Sequence, residues 1–386
     1  MNLQTPQRDV FIVGGGPAGL ATAIAAHANG LQATVADAQR PPIDKACGEG
    51  LMPDAVAALH ALGVRFSGGE AIPFRGIRFL DGRTGLSTEA LFPRGTGLAV
   101  RRTALHAKLA ARAAEVGAVI HWGARITLLD RGKLLCDGRE TQSSWIIGAD
   151  GLQSQVRRWA GLQPARREGV RAVLAARCKK QKRFGFRQHF RMAPWTDLVE
   201  VYWGASCQIA VTPTAPDEVG LAMISRNPAM RIQSALREMP ALAARLGGAQ
   251  AATHERGAPC VLRRLPALSR GRVALIGDAS GSVDPVTGEG LGLAFRQAIS
   301  LAEALRNNDL RGYQAAHQRI GRMPYRMSQL ILCMDRSAWL RQRALRALAA
   351  EPYLFARLLD AHVDGFASSP LGAVDALRLG WKLARS

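Results

Sequence analysis

Paired cysteines, long apolar runs, aromatic clusters and acidic charge are all scarce in this chain, and each scarcity removes a class of function. The six cysteines among 386 residues stand at 47, 136, 178, 207, 260 and 333 and form no C-x-x-C pair. That argues against a zinc site and a disulfide framework and fits reduced thiols in the cytoplasm. No stretch of about 18 apolar residues occurs, so no segment is expected to span a bilayer. The N-terminus lacks the pattern of a secretory signal, because its first apolar run is interrupted by glycines. Aromatic residues make up 6% of the chain, and they are not interleaved with basic residues as in a single-strand nucleic-acid binder. Acidic residues number 30 against 51 Lys and Arg, for a net charge of +21. Such a surplus is read three ways: a biased composition on a solvated surface, attraction to anionic lipid or an acidic substrate, or attraction to nucleic acid. The densest run, Lys179-Lys180-Gln181-Lys182-Arg183, reads as a short loop between strands, and no nucleic-acid partner is expected from it.

What the chain does have is apolar content, 48%, and 40 glycines, enough for a sizeable core with many tight turns. The organising stretch is DVFIVGGGPAG, Asp9 to Gly19. Val10 to Val13 read as a buried strand, and Gly14-x-Gly16-x-x-Gly19 follows at once. Pro17, Ala18 and the alanine-rich segment beyond read as a helix closing near Asn29-Gly30. A second apolar segment, Ala33 to Ala36, ends on Asp37. Strand, glycine turn, helix, strand and acid in register form a dinucleotide-binding unit. Gly14 allows the turn, Gly16 lets a pyrophosphate approach the backbone, Gly19 lets helix and strand pack, and Asp37 accepts ribose hydroxyls.

Further along, a helix is expected from Pro53 to Leu62 and another from Thr103 to Val116, opened by Arg101 and Arg102. Trp145 to Ile147 read as a strand ending at Gly148-Ala149-Asp150-Gly151, and Val273 to Ile276 as one ending at Gly277-Asp278. A helix is expected from Gly290 to Leu305, and helix with breaks at Pro324, Pro352 and Pro370 from Tyr313 onward. Strand-like alternation sets Val199, Val201 and Trp203 against Leu198, Glu200 and Tyr202. The segment Asp335 to Leu348 mixes Trp339, Leu340, Leu345 and Leu348 with arginines. It reads either as a helix packed on the protein's own core or as a basic face for peripheral membrane contact.

Three glycine-bearing corners, at 14–19, 148–151 and 277–292, thus follow three buried strands. In order and spacing they resemble the FAD-dependent aromatic-hydroxylase superfamily (group A flavin monooxygenases), which also contains geranylgeranyl reductases and flavin halogenases. The resemblance implies an α/β fold: a Rossmann-like FAD-binding domain with an interleaved β-sheet substrate domain and a helical C-terminus. The FAD domain would comprise 1–64, 98–165 and 265–325, the substrate domain 65–97 and 166–264, and the C-terminal helical region 326–386. It also implies that Gly14, Gly16, Pro17, Ala18 and Gly19 hold the FAD pyrophosphate and that Asp37 binds the adenosine ribose. Arg102, or alternatively Arg101, would contact FAD, and Asp150 would lie near FAD and a passing nicotinamide. Gly277 and Asp278 would bind the ribityl or pyrophosphate region. Gly288, Gly290 and Gly292 would bring a helix N-terminus to the flavin N1–C2=O edge, where negative charge develops on reduction.

A second nucleotide-binding glycine motif is absent, so NAD(P)H is expected as a transient reductant. The segment KACGEGLMP, Lys45 to Pro53, resembles the cysteine motif of geranylgeranyl reductases and makes Cys47 the candidate catalytic residue. The aromatic strand motif of those reductases is replaced by Gln208, Ala210 and Thr212 ahead of Pro213, which speaks against a long prenyl substrate. The Trp-x-Trp-x-Ile-Pro stretch of the halogenases has no counterpart. The expectation is therefore an NAD(P)H-using monooxygenase acting on a small or medium apolar organic molecule, with a geranylgeranyl-reductase-like enzyme reducing C=C bonds of an isoprenoid or lipid as the alternative and a nucleic-acid-binding flavoprotein as a minor one. His189, Tyr202, Trp203 and Gln208 lie on strands that can face the flavin, and no catalytic base is assigned among them.

Overall fold

The computed structural model describes residues 8–128, 134–141, 143–163 and 183–364, with isolated positions beyond. Its first layer is a six-stranded sheet. From one edge it runs Ser269–Arg270, Val273–Leu275, Ser143–Gly148, Arg8–Val13, Ala33–Asp37 and Val119–Trp122. All neighbours are parallel except the antiparallel edge pair of Ser269–Arg270 with Val273–Leu275. The strand Arg8–Val13 is buried on both faces: Val10 and Ile12 enter one apolar cluster, Phe11 and Val13 another. This explains its unbroken apolar run. The chain leaves this strand toward Ala33–Asp37 on one side and later returns on the other at Ser143–Gly148. A crevice opens at such a reversal, at the carboxyl ends of the strands.

Helix Pro17–Ala28 follows the first strand, with nine of its residues buried. It packs between helices Arg102–Glu115 and Gly290–Arg306. Alanine at 21, 23, 25 and 26 lets these helices approach closely. Leu105, Leu109 and Ala113 form the inner stripe of the second helix, at the spacing that the sequence pattern predicts.

A second, seven-stranded sheet runs Arg256–Cys260, Arg183–Arg191, Glu218–Ser225, Cys207–Ala215, Leu198–Trp203, Gly76–Asp81 and Ser87–Leu91. Two distant segments of the chain build it. One face packs through Ile209, Val211, Leu221 and Met223 on the short helices Ile232–Leu236 and Pro240–Leu246. Val199, Val201 and Trp203 face the other way, under Leu348, Phe355 and Leu358 of the C-terminal helices. A three-stranded sheet of Gly50–Leu51, Gly97–Ala99 and Ile72–Phe74 links the two large sheets.

Two expectations change, and a third segment takes the first of its two readings. Pro324 does not break its helix, which runs from Leu310 to Arg336 with Pro324 buried inside it. Tertiary packing outweighs the lost backbone hydrogen bond there. Arg183 is not part of an exposed basic loop. It opens a strand, is 2% exposed and pairs with Asp284, while Lys179 to Lys182 lie outside the described residues. Arg341, Leu345 and Leu348 of helix Ala338–Ala350 are buried, so that helix spends its apolar face on the core. Among the described residues no helix is long and apolar enough to cross a membrane.

Candidate active site

The three corners converge at the carboxyl ends of adjacent parallel strands. Gly14 has φ +113°, and a Cβ there would stand 2.5 Å from the carbonyl oxygen of Ala149, in the second corner. A Cβ on Gly277, in the third corner, would stand 2.8 Å from Cβ of Ala18, in the first. The second and third corners are tied by Arg157, which is buried and donates to Leu152 O at 2.8 Å and Ala279 O at 2.9 Å. Glycine is required at Gly14 because the backbones touch, and at Gly277 because of its φ of +57° and the Ala18 methyl beside it.

The space between the corners is open. No atom lies within 4 Å of a Cβ built on Gly16 or Gly290. These residues stand at the N-termini of helices Pro17–Ala28 and Gly290–Arg306, neither of which has a side-chain cap at its first amides. Free N–H groups therefore face a cleft from two helices, as an anionic ligand needs. Gly19 is closed, since a Cβ would run into Gly14 O, and Gly292 packs against Ala55. Gly288 turns with φ +71° beside Met52. Pro17 supplies the first helical residue and is buried.

The side chains divide into spent and unspent. Asp37 accepts from Gly15 N through Oδ2 and from Gln39 N through Oδ1, both at 2.7 Å. It shapes the glycine turn and keeps further lone pairs. Asp150 accepts from Gln155 N and Val156 N through Oδ2, while Oδ1 is buried without a partner. Asp278 pairs with Lys45 at 3.1 Å. Arg101 is spent in a bidentate pair with Glu218 on the large sheet. Arg102 is 9% exposed, and its Nε has no partner. Such unpaired atoms also occur at Arg157, Arg183 and Arg187, and those of Arg102 and Asp150 stand out only by their place at the corners.

Cys47 is half-buried, and its Sγ accepts from Glu49 N at 3.4 Å. Burial raises its pKa, with the Arg102 charge opposing. The thiol form is favoured, which is the wrong form for a nucleophile.

Sequence reasoning did not foresee Glu49. It is 2% exposed and sits at φ 60°. Its Oε1 accepts from Arg102 N at 2.8 Å and Arg187 Nη1 at 2.9 Å, and its Oε2 from His189 Nε2 at 2.5 Å. Arg187 also holds Asp44 at 2.7 Å. A second strut joins Arg183 to Asp284 at 2.8 Å and to Gln208 at 2.9 Å, just before the Pro285–Thr287 turn. Both struts bind the large sheet to loops of the cleft. Tyr202 lies on the opposite face, donating to Glu200 at 2.7 Å, and Trp203 is buried under the C-terminal helices. His106, also unforeseen, donates from Nε2 to Gly15 O at 2.9 Å behind the first corner. Its only sequence signal was its place on the inner face of an amphipathic helix.

Between the struts the sheet wall mixes small residues with Ile224, which pairs with Gly185 on one side and Gln208 on the other. Ala210 and Ala222 are cross-strand partners, and Arg187 is the next partner of Ala222. Ala210, Ala222 and Gly185 are half-exposed in a sheet that is otherwise mostly buried there. Thr212, on the same side of its strand as Ala210, donates to Gly48 O at 2.9 Å, so this floor faces the cleft. A cavity of about 430 Å³ lined by Phe190, Leu236 and Leu246 lies on the sheet's other face, away from the corners.

Residues 7–317 match the FAD binding domain family. The chain belongs to that family, and FAD is its cofactor. The open cradle at Gly16 and Gly290, the unpaired Arg102 Nε and the unpaired Asp150 Oδ1 fit such a group. The chain is 35% identical to the menaquinone reductase of Mycolicibacterium smegmatis over 164 residues, which is 40% of each protein. It thus spans well under half the length of that relative. It is 28% identical to the ubiquinone hydroxylase UbiL of Rhodospirillum rubrum over 322 residues, 77% of this chain and 72% of UbiL. Among solved structures, a flavoprotein/dehydrogenase from Cytophaga hutchinsonii superposes with a TM-score of 0.73 at 17% identity, covering 94% of this chain and 93% of that one. It shares the fold.

Proposed function

We propose that the protein is an NAD(P)H-using FAD-dependent monooxygenase that hydroxylates a small apolar ring compound of quinone type. The observation that carries the reading is the cleft-facing pair Ala210 and Ala222 beside Arg187, with Ile224 in the next row, held between two buried ionic struts. It accepts a flat ring against the sheet and offers no aromatic trough for a long prenyl chain. The hydroxylase UbiL supports the reading, since its match runs along most of both chains.

In this reading the helix amides at Gly16 and Gly290 hold the pyrophosphate and the N1–C2=O edge. Asp37 receives the ribose, Arg102 Nε and Asp278 bind along the cofactor, and Asp150 stands where the nicotinamide passes. Bound FAD supplies the relay of two electrons from NAD(P)H to oxygen. Overall, substrate, oxygen, NAD(P)H and a proton give hydroxylated substrate, water and NAD(P)+. The sheet floor and the struts position the ring and exclude water, which this chemistry needs more than an acid–base pair. The raised Cys47 pKa supports a packing role for that thiol beside the cleft.

A second reading, reduction of a C=C bond in an isoprenoid quinone or lipid, is favoured by the menaquinone reductase match and by the KACGEG segment. The deciding measurement is oxygen uptake by FAD-loaded protein with NADH or NADPH and a panel of alkylated quinones and hydroxyarenes. Substrate-dependent oxygen uptake with a hydroxylated product is expected. Saturation of the substrate side chain under anaerobic conditions, without oxygen uptake in air, would overturn the proposal.

A further inference from the structure

The outer face of helix Leu310–Arg336 carries a charge pattern that neither the fold nor the cleft uses. Its buried stripe includes Tyr313, Ile320, Met323, Ile331 and Leu332, which anchor it to the protein. On the exposed side stand Arg319, Arg322, Arg326 and Arg336, at steps of three, four and ten residues that keep them on one helical face. Arg319 to Arg336 covers about 26 Å of axis. The one acid within this helix, Asp335, is turned inward to Arg183 and Arg226. Leu330, 45% exposed, lies within the stripe. Trp339, 63% exposed, lies just beyond its end, with the Arg343 guanidinium 4.3 Å over its ring.

We propose that this stripe docks the protein on an anionic lipid surface. Four guanidinium groups with no exposed acid among them complement a layer of phosphate headgroups. An indole and a leucine held out in water beside them suit the headgroup–acyl boundary, where an amphipathic ring is favoured. One exposed indole is no stacking platform for successive bases, so the pattern favours lipid over nucleic acid. The surface overlaps the 335–348 segment that the sequence suggested only at Arg336, Trp339 and Arg343, since Leu345 and Leu348 of that segment are in the core.

The test is co-sedimentation of FAD-loaded protein with vesicles of phosphatidylglycerol and phosphatidylcholine, compared with vesicles of phosphatidylcholine alone. Binding only to the anionic vesicles is expected, weakening as salt is raised. The triple variant Arg319→Glu, Arg322→Glu, Arg326→Glu should lose on the order of a hundredfold in apparent vesicle affinity. The matching triple change to Lys should retain it, and Trp339→Ser should lose a smaller part. Unchanged flavin absorbance in each variant shows that the fold is intact. Wild-type protein that ignores anionic vesicles at low salt would overturn the proposal. So would a triple-Glu variant that binds like wild type, or a stripe-dependent preference for duplex DNA or RNA over the vesicles.

Discussion

The two walls of the cleft are built on opposite principles. On the six-stranded sheet, the proposed recognition rests on backbone and on missing side chains: Gly14, Gly19 and Gly277 let the corners close on one another, while Gly16 and Gly290 face open space. On the seven-stranded sheet it rests on long charged side chains, Arg183 and Arg187, locked to Asp284 and Glu49. The first wall is geometrically exact and electrostatically mild. The second is held by buried ion pairs, each of which costs desolvation and repays it only while complete. Cofactor binding therefore tolerates almost no change in shape, and the substrate wall almost no change in charge.

The sharpest way to break this comparison is at the glycines. Gly19→Val should abolish flavin binding, because its Cβ would meet Gly14 O. Gly16→Ala should fold normally, since no protein atom lies within 4 Å of the added methyl. It should still lose about tenfold or more in FAD affinity, or about 1.4 kcal/mol. Titration of apoprotein with FAD checks both, and a Gly16→Ala protein with wild-type affinity would refute the open-cradle account.

The next effect belongs to the charged wall. Glu49→Gln keeps the shape but removes the charge that faces Arg187 and His189. The expected loss is about 3 kcal/mol of stability, read by denaturant unfolding, with FAD affinity less affected than in Gly16→Ala. An unchanged midpoint would mean that the strut does not hold the walls together.

The smallest effect sharpens the cofactor side, whose corners are backed by buried imidazoles. His317 bonds Ser280 Oγ at 2.9 Å behind the third corner, and burial lowers its pKa from 6.5 to about 4. Burial also lowers the pKa of His106 and His362. A depressed folded-state pKa means that the unfolded chain binds more protons in that window. Stability should then fall as pH drops from 6.5 toward about 4, by at most about 1.4 kcal/mol per pH unit for one proton. Glu289, whose pKa is raised by burial and next by Asp54, acts in the opposite sense, losing stability as pH rises above 4.5. The difference between wild type and His317→Gln isolates the one imidazole, and its pH slope should vanish above 6.5. A difference independent of pH would place the proton elsewhere.

Much of the first wall was legible in the sequence, because strand, glycine turn and helix lie within about twenty residues and each leaves a periodic trace. The helices at 53, 102 and 290 and the face assignment of Val199, Val201 and Trp203 were legible for the same reason. The second wall was not. Glu49 meets Arg187 and His189 across 138 and 140 residues, and no local pattern announces a pair at that range. Arg183 looked like the end of a basic run because a charged residue entering a core is recognised only by its partner. Pro324 looked like a helix end because local propensity counts the missing N–H but not the packing that outweighs it.

The sequence by itself determined that three glycine-bearing corners follow three buried strands, since a turn is written in the residues next to it. Only the tertiary structure decided that Arg101 is spent on Glu218 while Arg102 Nε is left without a partner. It alone set Ala210 and Ala222 beside two ionic struts and turned one helix's arginines outward. The reason is physical: hydrogen-bond direction and charge pairing are settled between segments far apart in the chain, after the backbone has brought them together.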